Sequence, residues 1–421
     1  MEFDLLVEGT AVTPGGVEEV QIGVSGGRIA RLARQGLKGT RRITAGSCVI
    51  FPGFIDTHVH LREPGWEQKE DFASGTAAAV HGGVTTVFDM PNNPVPATDA
   101  ASLETKSKLA RAKAVVDVKF IGGVDGSLSQ VGQIRSKVVG YKIYLAETTG
   151  NLMLPARKLR SALAAVGATG KPASVHCESQ SIIDSRREEL AGQERPDIHS
   201  DLRPPEAELE SVRTVLRMRG RTKVNVCHVS TRGALRLVEE SKKQGPGVAC
   251  EVTLHHLFFS REAMYRSDLL RTNPPLRGKE DRNAMLEGLK SGSVDFLVTD
   301  HAPHTLTEKR QGGACGVPGL DNYGNIVSWL VKKHGFDPEK IAAFCSGNQA
   351  RFFGLRDRGA ISLGKRADFA ILDLKAPETA TSRRIRSKCG WTPYEGVEFP
   401  GRVRWTIFGG KALLEDYELA V

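Results

Sequence analysis

The chain has 421 residues with 40% apolar and 6% aromatic content, which is typical of a globular protein with one large domain and a smaller unit. Its formal net charge is +9, but the basic clusters at 31–42 and 383–388 lack the interleaved aromatic residues that stack nucleic-acid bases. No apolar run is long enough to cross a bilayer, so we expect neither a membrane protein nor a nucleic-acid binder.

The seven cysteines are scattered along the chain and form no CxxC pair. This spacing predicts reduced thiols rather than a disulfide framework. The N-terminal stretch MEFDLLVEG is acidic and lacks the basic start of a signal peptide. We therefore expect a cytoplasmic location.

The two ends of the chain share a pattern of short alternating apolar segments separated by glycines. Residues 1–50 show it first, and residues 355–421 return to it in RGAISLGKRADFAILDL and VRWTIFGGKAL. A lone sheet of this size would have difficulty burying one face. We therefore predict that the two terminal segments pair into one small β-sandwich domain.

The middle of the chain, residues 51–354, alternates apolar runs with helical segments at the spacing of βα units. Eight runs predict strands: VIFPGFIDTHVH, VTTVFDMP, VDVKFIGGV, VVGYKIYLA, PASVHCES, VNVCHVS, VACEVTLHH and VDFLVTDHAPH. Helices are predicted between them, for example at 99–114, 206–219 and 232–244. This α/β pattern favours a closed (β/α)8 TIM barrel. An open doubly wound sheet is the alternative, but no GxGxxG follows the first strand.

Polar side chains close most of the predicted strands, and in a TIM barrel the chemistry occurs at the carboxyl ends of the strands. The residues at those ends are His58, His60, Asn92, Lys142, His176, His228, His255, His256 and Asp300. His58 and His60 are two positions apart, so both side chains point to the same face of a strand. The recurrence of imidazole and carboxylate groups predicts a metal centre at one mouth of the barrel.

Four of these positions allow more than one interpretation. Lys142, flanked by apolar residues, could as a neutral amine add carbon dioxide and bridge two cations, or it could extend its ammonium group to solvent at the barrel mouth. Asp300 could bind a metal and transfer a proton, or it could cap a helix. Only one of His255 and His256 can face inward, and the sequence does not show which.

A further group of residues is suited to binding an anion. Arg62 follows the histidine pair by two positions, and its guanidinium could hold a substrate carboxylate through two hydrogen bonds. Asn92 at the neighbouring strand end and His304 could donate to the same carboxylate. These residues predict a small acidic substrate rather than a neutral one.

Together these motifs resemble the type I dihydroorotases of the amidohydrolase superfamily. The matching segments are HVHLREPG, DMPNNP, YKIYLAE, VHCES, VCHVS, TNPPLR, TDHAPHT and GKRADFAILD, and they extend over nearly the whole chain. HVHLREPG and TDHAPHT are the most specific, whereas GKRADFAILD marks only the superfamily. The resemblance implies a TIM-barrel enzyme that uses zinc to hydrolyse cyclic amides.

The resemblance also implies a site with two zinc ions for each chain. The implied ligands are His58, His60 and Asp300 for one ion, His176 and His228 for the other, and N6-carboxylated Lys142 as the bridge between them. Asp300 would act as general acid and base beside a hydroxide held between the ions. The implied reaction is the reversible hydrolysis of L-dihydroorotate to N-carbamoyl-L-aspartate, a step of de novo pyrimidine (UMP) biosynthesis.

The resemblance assigns the substrate contacts as well. The implied carboxylate ligands are Arg62, Asn92 and His304, and the implied ring contacts are Asn273, Cys315 and Gly316. Residues 146–150 would form part of a loop over the substrate.

Two alternative functions use the same residues differently. Allantoinases and hydantoinases share the fold and the metal ligands, but a neutral ring would leave Arg62 and Asn92 without a carboxylate to bind. A non-catalytic scaffold for a pyrimidine-pathway partner would generally lack ligands that are all present here. The sequence leaves open the oligomeric state, an association with aspartate transcarbamoylase, the preferred metal and the modification of Lys142.

Overall fold

The structure, a computed structural model, describes residues 2–311 and 313–420. Its strands are β1 (Glu2–Thr13), β2 (Gly16–Ser25), β3 (Arg28–Ala33), β4 (Lys38–Pro52), β5 (Phe54–Val59), β6 (Val84–Asp89), β7 (Asp117–Gly123), β8 (Gly140–Tyr144), β9 (Ala173–His176), β10 (Val224–Val226), β11 (Val248–Thr253), β12 (Phe296–Val298), β13 (Phe369–Asp373), β14 (Glu378–Thr379), β15 (Glu398–Phe399), β16 (Arg402–Phe408), β17 (Lys411–Glu415) and β18 (Glu418–Leu419).

The α-helices connect the strands of the central part of the chain and lie mostly between β5 and β13. They are α1 (Phe72–His81), α2 (Ala100–Lys113), α3 (Leu159–Ala168), α4 (Gln180–Glu189), α5 (Ile198–Leu202), α6 (Pro205–Met218), α7 (Arg232–Gln244), α8 (Leu254–Phe258), α9 (Lys279–Ser291), α10 (Leu306–Arg310), α11 (Tyr323–His334), α12 (Pro338–Ala342) and α13 (Asn348–Phe353). Within the described residues, no helix is both long and apolar enough to span a membrane.

Three of these helices correspond closely to helices predicted from the sequence. The predicted helix at 99–114 is α2, the one at 206–219 is α6, and the one at 232–244 is α7. The side chain of Asp99 accepts a hydrogen bond from the backbone N–H of Ser102, which satisfies one of the free donors at the start of α2. This cap is formed by residues close together in sequence, so the start of α2 could be predicted from the sequence.

One eight-stranded sheet is built from both ends of the chain, in the order β18-β17-β16-β13-β4-β1-β2-β3. Strand β4 joins the two ends, because it runs parallel to β1 and antiparallel to β13, with Ile50 opposite Ile371. The sheet folds over a shared apolar core, and the N–H of Ile29 in β3 donates to the carbonyl of Lys365 just before β13. The predicted pairing of the terminal segments is confirmed.

The second eight-stranded sheet is the predicted barrel, with parallel strands in the order β5 to β12. A parallel bridge between Val59 and His301 brings the last strand against the first. Aromatic side chains fill the amino-terminal end of the barrel, where Phe353 of α13 packs edge-on against Phe88 with ring centroids 4.9 Å apart. The carboxyl ends of the strands remain available for a site.

The predicted first barrel strand, VIFPGFIDTHVH, is two strands in the structure. Strand β4 ends at Pro52 in the terminal sheet, and β5 begins at Phe54 in the barrel. Between them, the N–H of Gly53 donates to the carbonyl of Asp368 at 2.7 Å, and a side chain at Gly53 would overlap Thr85. The chain therefore passes from one sheet to the other at a glycine. The division of the chain at residues 50 and 354 stays a prediction.

Candidate active site

Six buried side chains meet at the carboxyl ends of five barrel strands. His58 and His60 come from the end of β5, Lys142 lies within β8, and the others lie at or just after the ends of β9, β10 and β12. The six residues are His58, His60, Lys142, His176, His228 and Asp300. The structure thus brings all the predicted metal ligands to the same mouth of the barrel.

His58, His60 and Asp300 form the first set of converging donors. The Oδ1 atom of Asp300 lies 3.0 Å from Nε2 of His60 and 3.4 Å from Nε2 of His58. One ligand atom from each residue lies within 4.8 Å of the other two. This spacing fits three ligands of one cation.

His176 and His228 form the second set, and Lys142 lies between the first set and the second. Nδ1 of His176 faces Nε2 of His228 at 3.0 Å, and Nζ of Lys142 lies 3.2 Å from Nε2 of His58. Nδ1 of His228 is buried without a hydrogen-bond partner among the described residues. Two imidazole lone pairs this close repel each other unless a proton or a cation lies with them, so the donor set fits a metal ion.

Buried carboxylates that the sequence analysis did not identify set the orientation of these rings. Nδ1 of His58 donates to Glu251, which also accepts from Nδ2 of Asn225 at 2.6 Å. Nε2 of His176 donates to Glu178 at 2.8 Å, and Arg203 pairs with the same carboxylate at 2.6 Å. Each bond uses the ring N–H and leaves the other nitrogen as a lone pair toward the site. Glu178 lies in the motif VHCES, two positions after His176, and this spacing is the signal that could have identified it.

The protonation states of these residues also suit a cation. Burial lowers the pKa of His60 to about 3 and the pKa of His176 below its usual value. Burial alone would raise the pKa of Asp300, but the imidazoles of His58 and His60 outweigh it and hold this pKa well below its usual range. Neutral imidazoles and an ionised carboxylate are the forms that bind divalent metals.

Lys142 is fully buried in β8, with its amine enclosed by protein atoms. Nζ donates to Sγ of Cys227 at 3.0 Å and lies 5.2 Å from the centre of the Tyr144 ring. Within residues 2–311 and 313–420 it forms no ion pair. The alternative in which Lys142 extends to solvent at the barrel mouth is therefore wrong, because its side chain points among the ligands.

A small cleft opens directly beside Asp300. The predicted substrate residues that line it are Arg62, Asn92, Asn273, Cys315 and Gly316, and Thr148 and Thr149 of the predicted covering loop lie across from them. His304 adjoins the cleft, with Nε2 3.3 Å from a terminal nitrogen of Arg62. The structure therefore brings the predicted anion-binding and ring-contacting residues together next to the predicted metal ligands.

Two details of this cleft differ from the sequence-based expectation. The two-residue spacing from His60 would direct Arg62 into the cleft only if the strand continued, but β5 ends at Val59 and Arg62 lies outside the strand with φ of 63°. Both ends of the Asn92 amide already have partners: Oδ1 accepts from Nδ1 of His60 at 2.7 Å, and Nδ2 donates to the carbonyl of Thr149 at 2.8 Å. Asn92 thus orients a histidine and holds the loop in this structure.

His199, for which the sequence predicted no role, contacts two of the predicted ring-contacting residues. Its Nε2 lies 2.9 Å from Oδ1 of Asn273 and 3.7 Å from Sγ of Cys315. No local pattern in the short helix α5 marks this residue. Its importance follows only from the folding of α5 against the distant segment around Asn273.

His255 and His256 were predicted to end the seventh strand, but they lie in the short helix α8 after β11. Thr253 caps that helix through its side chain, so the strand stops before the histidines. Nδ1 and Nε2 of His256 contact Oγ1 of Thr253 and the carbonyl of Pro275. Nε2 of His255 is buried without a hydrogen-bond partner in the described part of the chain.

Known proteins resemble this chain over nearly its whole length. The amidohydrolase family matches residues 49–413. A dihydroorotase of Methanothermobacter thermautotrophicus is 36% identical over 425 aligned residues, which cover 99% of this chain and 95% of that protein. A dihydroorotase of Pyrococcus horikoshii is 35% identical and covers 99% of this chain and 94% of its own length.

Solved structures show the same architecture. The L-hydantoinase (dihydropyrimidinase) from Arthrobacter aurescens superimposes with a TM-score of 0.96 at 25% identity, covering 100% of this chain and 98% of that one. The same fold therefore occurs in a hydantoinase, whereas the two relatives that are 35% and 36% identical in sequence are both named dihydroorotase. The chain belongs to the amidohydrolase family and, within it, to the dihydroorotases.

Proposed function

We propose that the protein catalyses the reversible hydrolysis of L-dihydroorotate to N-carbamoyl-L-aspartate, the ring-opening reaction of de novo pyrimidine biosynthesis. The observation that carries this proposal is the position of Arg62, a buried guanidinium that lines the same small cleft as Asp300. A buried cation beside the reacting groups is suited to a substrate that carries a carboxylate. The archaeal relatives named dihydroorotase support the same reaction.

We propose that two zinc ions bind at the converging donors. His58, His60 and Asp300 would hold one ion, and His176 and His228 would hold the other. Ions of this kind supply Lewis acidity toward a carbonyl oxygen and lower the pKa of water. Three observations support this assignment: the neutral imidazole of His60, the ionised carboxylate of Asp300, and the buried glutamates that accept hydrogen bonds from the rings of His58 and His176.

Lys142 is the proposed bridge between the two sets of ligands. A buried ammonium without a carboxylate partner costs free energy, whereas the neutral amine can add carbon dioxide and release a proton, which yields a carbamate with two oxygens. The position of Nζ beside Nε2 of His58 supports this role.

Asp300 is the proposed general acid and base. Its Oδ1 faces the two imidazoles, which leaves Oδ2 to accept a proton from the attacking water. The water oxygen bonds to the ring carbonyl carbon, the adjacent carbon–nitrogen bond breaks, and Asp300 returns the proton to the leaving nitrogen. The reverse sequence closes the ring and starts from protonated Asp300.

The remaining residues of the cleft hold the substrate. Arg62 and His304 would bind its carboxylate, with Asn92 beside them, while Asn273 and the backbone of Cys315 and Gly316 would contact the ring. Their arrangement around one cleft supports these assignments.

The experiment that tests this function compares L-dihydroorotate with dihydrouracil, which has the same ring without the carboxylate. We expect efficient turnover of dihydroorotate and at least about 100-fold lower kcat/KM for dihydrouracil. Dihydrouracil has no carboxylate, so the buried donors that would bind the carboxylate are left unpaired. Faster turnover of dihydrouracil, hydantoin or allantoin would overturn the proposal in favour of a hydantoinase-type or allantoinase-type enzyme.

The alternative of a non-catalytic scaffold is excluded if the isolated protein turns over dihydroorotate and binds about two metal ions per chain.

We also propose a cytoplasmic location, which is supported by seven cysteines that are all unpaired. Self-association and binding to aspartate transcarbamoylase stay predictions.

A further inference from the structure

His304 lies between two cations, each of which faces a different nitrogen of its ring. Nζ of Lys69 lies 3.3 Å from Nδ1, and a terminal nitrogen of Arg62 lies 3.3 Å from Nε2. Burial, with the added effect of these cations, lowers the pKa of His304 to about 2, so the ring is neutral. A neutral imidazole has one N–H and one lone pair, whereas ammonium and guanidinium groups are donors only. Only one of the two contacts can therefore be a hydrogen bond to the ring.

The surroundings of Lys69 hold its ammonium group against Nδ1. Nζ forms an ion pair with Oε1 of Glu308 at 2.8 Å and lies 4.7 Å from the centre of the Trp66 ring. The lysine is 6% exposed, and its backbone N–H donates to the carbonyl of Trp66. These contacts leave the ammonium little freedom to turn away from the imidazole.

The backbone at His304 is held by Trp391. The indole N–H of Trp391 donates to the backbone carbonyl of His304 at 2.8 Å, and His304 is 3% exposed. Because the ring is buried, it has little room to rotate, and the position of its single proton decides which nitrogen can donate. If Nδ1 carried the proton, its N–H would face the ammonium of Lys69, while Oε2 of Glu308 lies 3.7 Å away, beyond hydrogen-bonding distance, and a lone pair at Nε2 would face the anion site.

We propose that Lys69 is a positioning residue that holds His304 as the Nε2–H tautomer, so that His304 and Arg62 both donate to the substrate carboxylate. In this arrangement Nδ1 accepts from Lys69, and the N–H at Nε2 points to the side of Arg62, which lines the cleft. Two donors can then bind the same carboxylate. The identity of the anion rests on the proposed function, but the tautomer does not.

The tautomer can be measured directly by long-range ¹⁵N–¹H correlation spectra of protein labelled in its histidines. The His304→Gln variant identifies the signals of His304 by their loss. We expect a protonated Nε2 and an unprotonated Nδ1 in the metal-loaded, unmodified protein. A protonated Nδ1 would overturn the inference, and this measurement requires no variant of Lys69 to fold.

Kinetics of the Lys69→Met variant test the consequence for binding. We expect KM for dihydroorotate to rise about tenfold while kcat changes less than about threefold, because a substrate contact that persists through the reaction has been weakened. The Lys69→Arg variant keeps a donor and should recover part of this loss. An unchanged KM in Lys69→Met would refute the role of Lys69.

Lys242→Met is the matched control, because Lys242 is a half-buried lysine paired with Asp295 far from the cleft. It should leave KM unchanged, and its thermal stability shows how much the loss of an ion pair costs by itself. Failure of the unmodified protein to act on dihydroorotate would refute the proposed function instead, and the tautomer spectrum would still decide this inference.

Discussion

Glu251 and His58 form a buried hydrogen bond from Nδ1 of the imidazole to the carboxylate, and this bond directs Nε2 of His58 toward Asp300 and Lys142. Glu251 also accepts from Asn225 and from the backbone N–H of His228. One carboxylate in β11 thus contacts a residue from each of the two sets of proposed metal ligands.

The Glu251→Gln variant should weaken metal binding without removing a ligand. The amide can present an N–H to Nδ1 of His58, which disfavours the ring tautomer that leaves Nε2 as a lone pair. We expect metal affinity or activity to fall by about 10–100-fold, the usual cost of losing such a partner. Metal titration followed by assay measures it, and Glu240→Gln, an exposed position on α7, is the control. Full metal content and activity in Glu251→Gln would contradict this reading.

Lys142→Ala should remove the bridge between the two sets of ligands. We expect the variant to keep about one metal ion and to lose activity by more than about 100-fold, beyond the effect of a residue that only orients a ligand. Elemental analysis and steady-state kinetics measure the two effects. Lys137→Ala, at an exposed lysine paired with Glu104, should match the unmodified protein. Retention of both ions by Lys142→Ala would refute the bridging role.

The two directions of the reaction should respond oppositely to pH. Ring closure consumes a proton and begins with protonated Asp300, whereas hydrolysis begins with the carboxylate. The two imidazoles hold the pKa of Asp300 well below its usual value, so the carboxylate form predominates across the neutral range. We expect the rate of closure to rise as pH falls and the rate of hydrolysis to rise as pH increases. Identical pH–rate profiles for the two directions would show that Asp300 does not carry the proton.

Gly324 of α11 marks the close packing of a barrel helix on the terminal sheet. A methyl group added there would overlap the Val403 side chain in β16 and approach the carbonyl of Gly82. We expect Gly324→Ala to lower the free energy of unfolding by about 1–3 kcal/mol through overpacking, measured by urea denaturation. Gly132→Ala meets open space and should change it by less than about 0.5 kcal/mol. Equal stability of the two variants would contradict this prediction and would mean that α11 can move away from β16 at little cost.

Much of the architecture could be predicted from local patterns. The bounds of α7 follow from its apolar spacing and its Thr231 cap, and the barrel follows from eight apolar runs, most of which end in polar residues. The candidate metal ligands could be identified for the same reason, since each lies at or near the carboxyl end of the strand that places it at the barrel mouth. Where the local pattern was continuous, as in VIFPGFIDTHVH, the sequence did not reveal that two sheets share the segment.

The order of residues along the chain determined by itself which side chains end the barrel strands, because alternation within a strand and the direction of parallel strands are local properties. Only the tertiary structure decided which nitrogen of each histidine faces the site. That choice depends on Glu251, Glu178, Asn92 and Lys69, which lie far along the chain from most of the rings they contact. Ring orientation and proton position are set by buried partners, and closure of the barrel is what brings those partners within hydrogen-bonding distance.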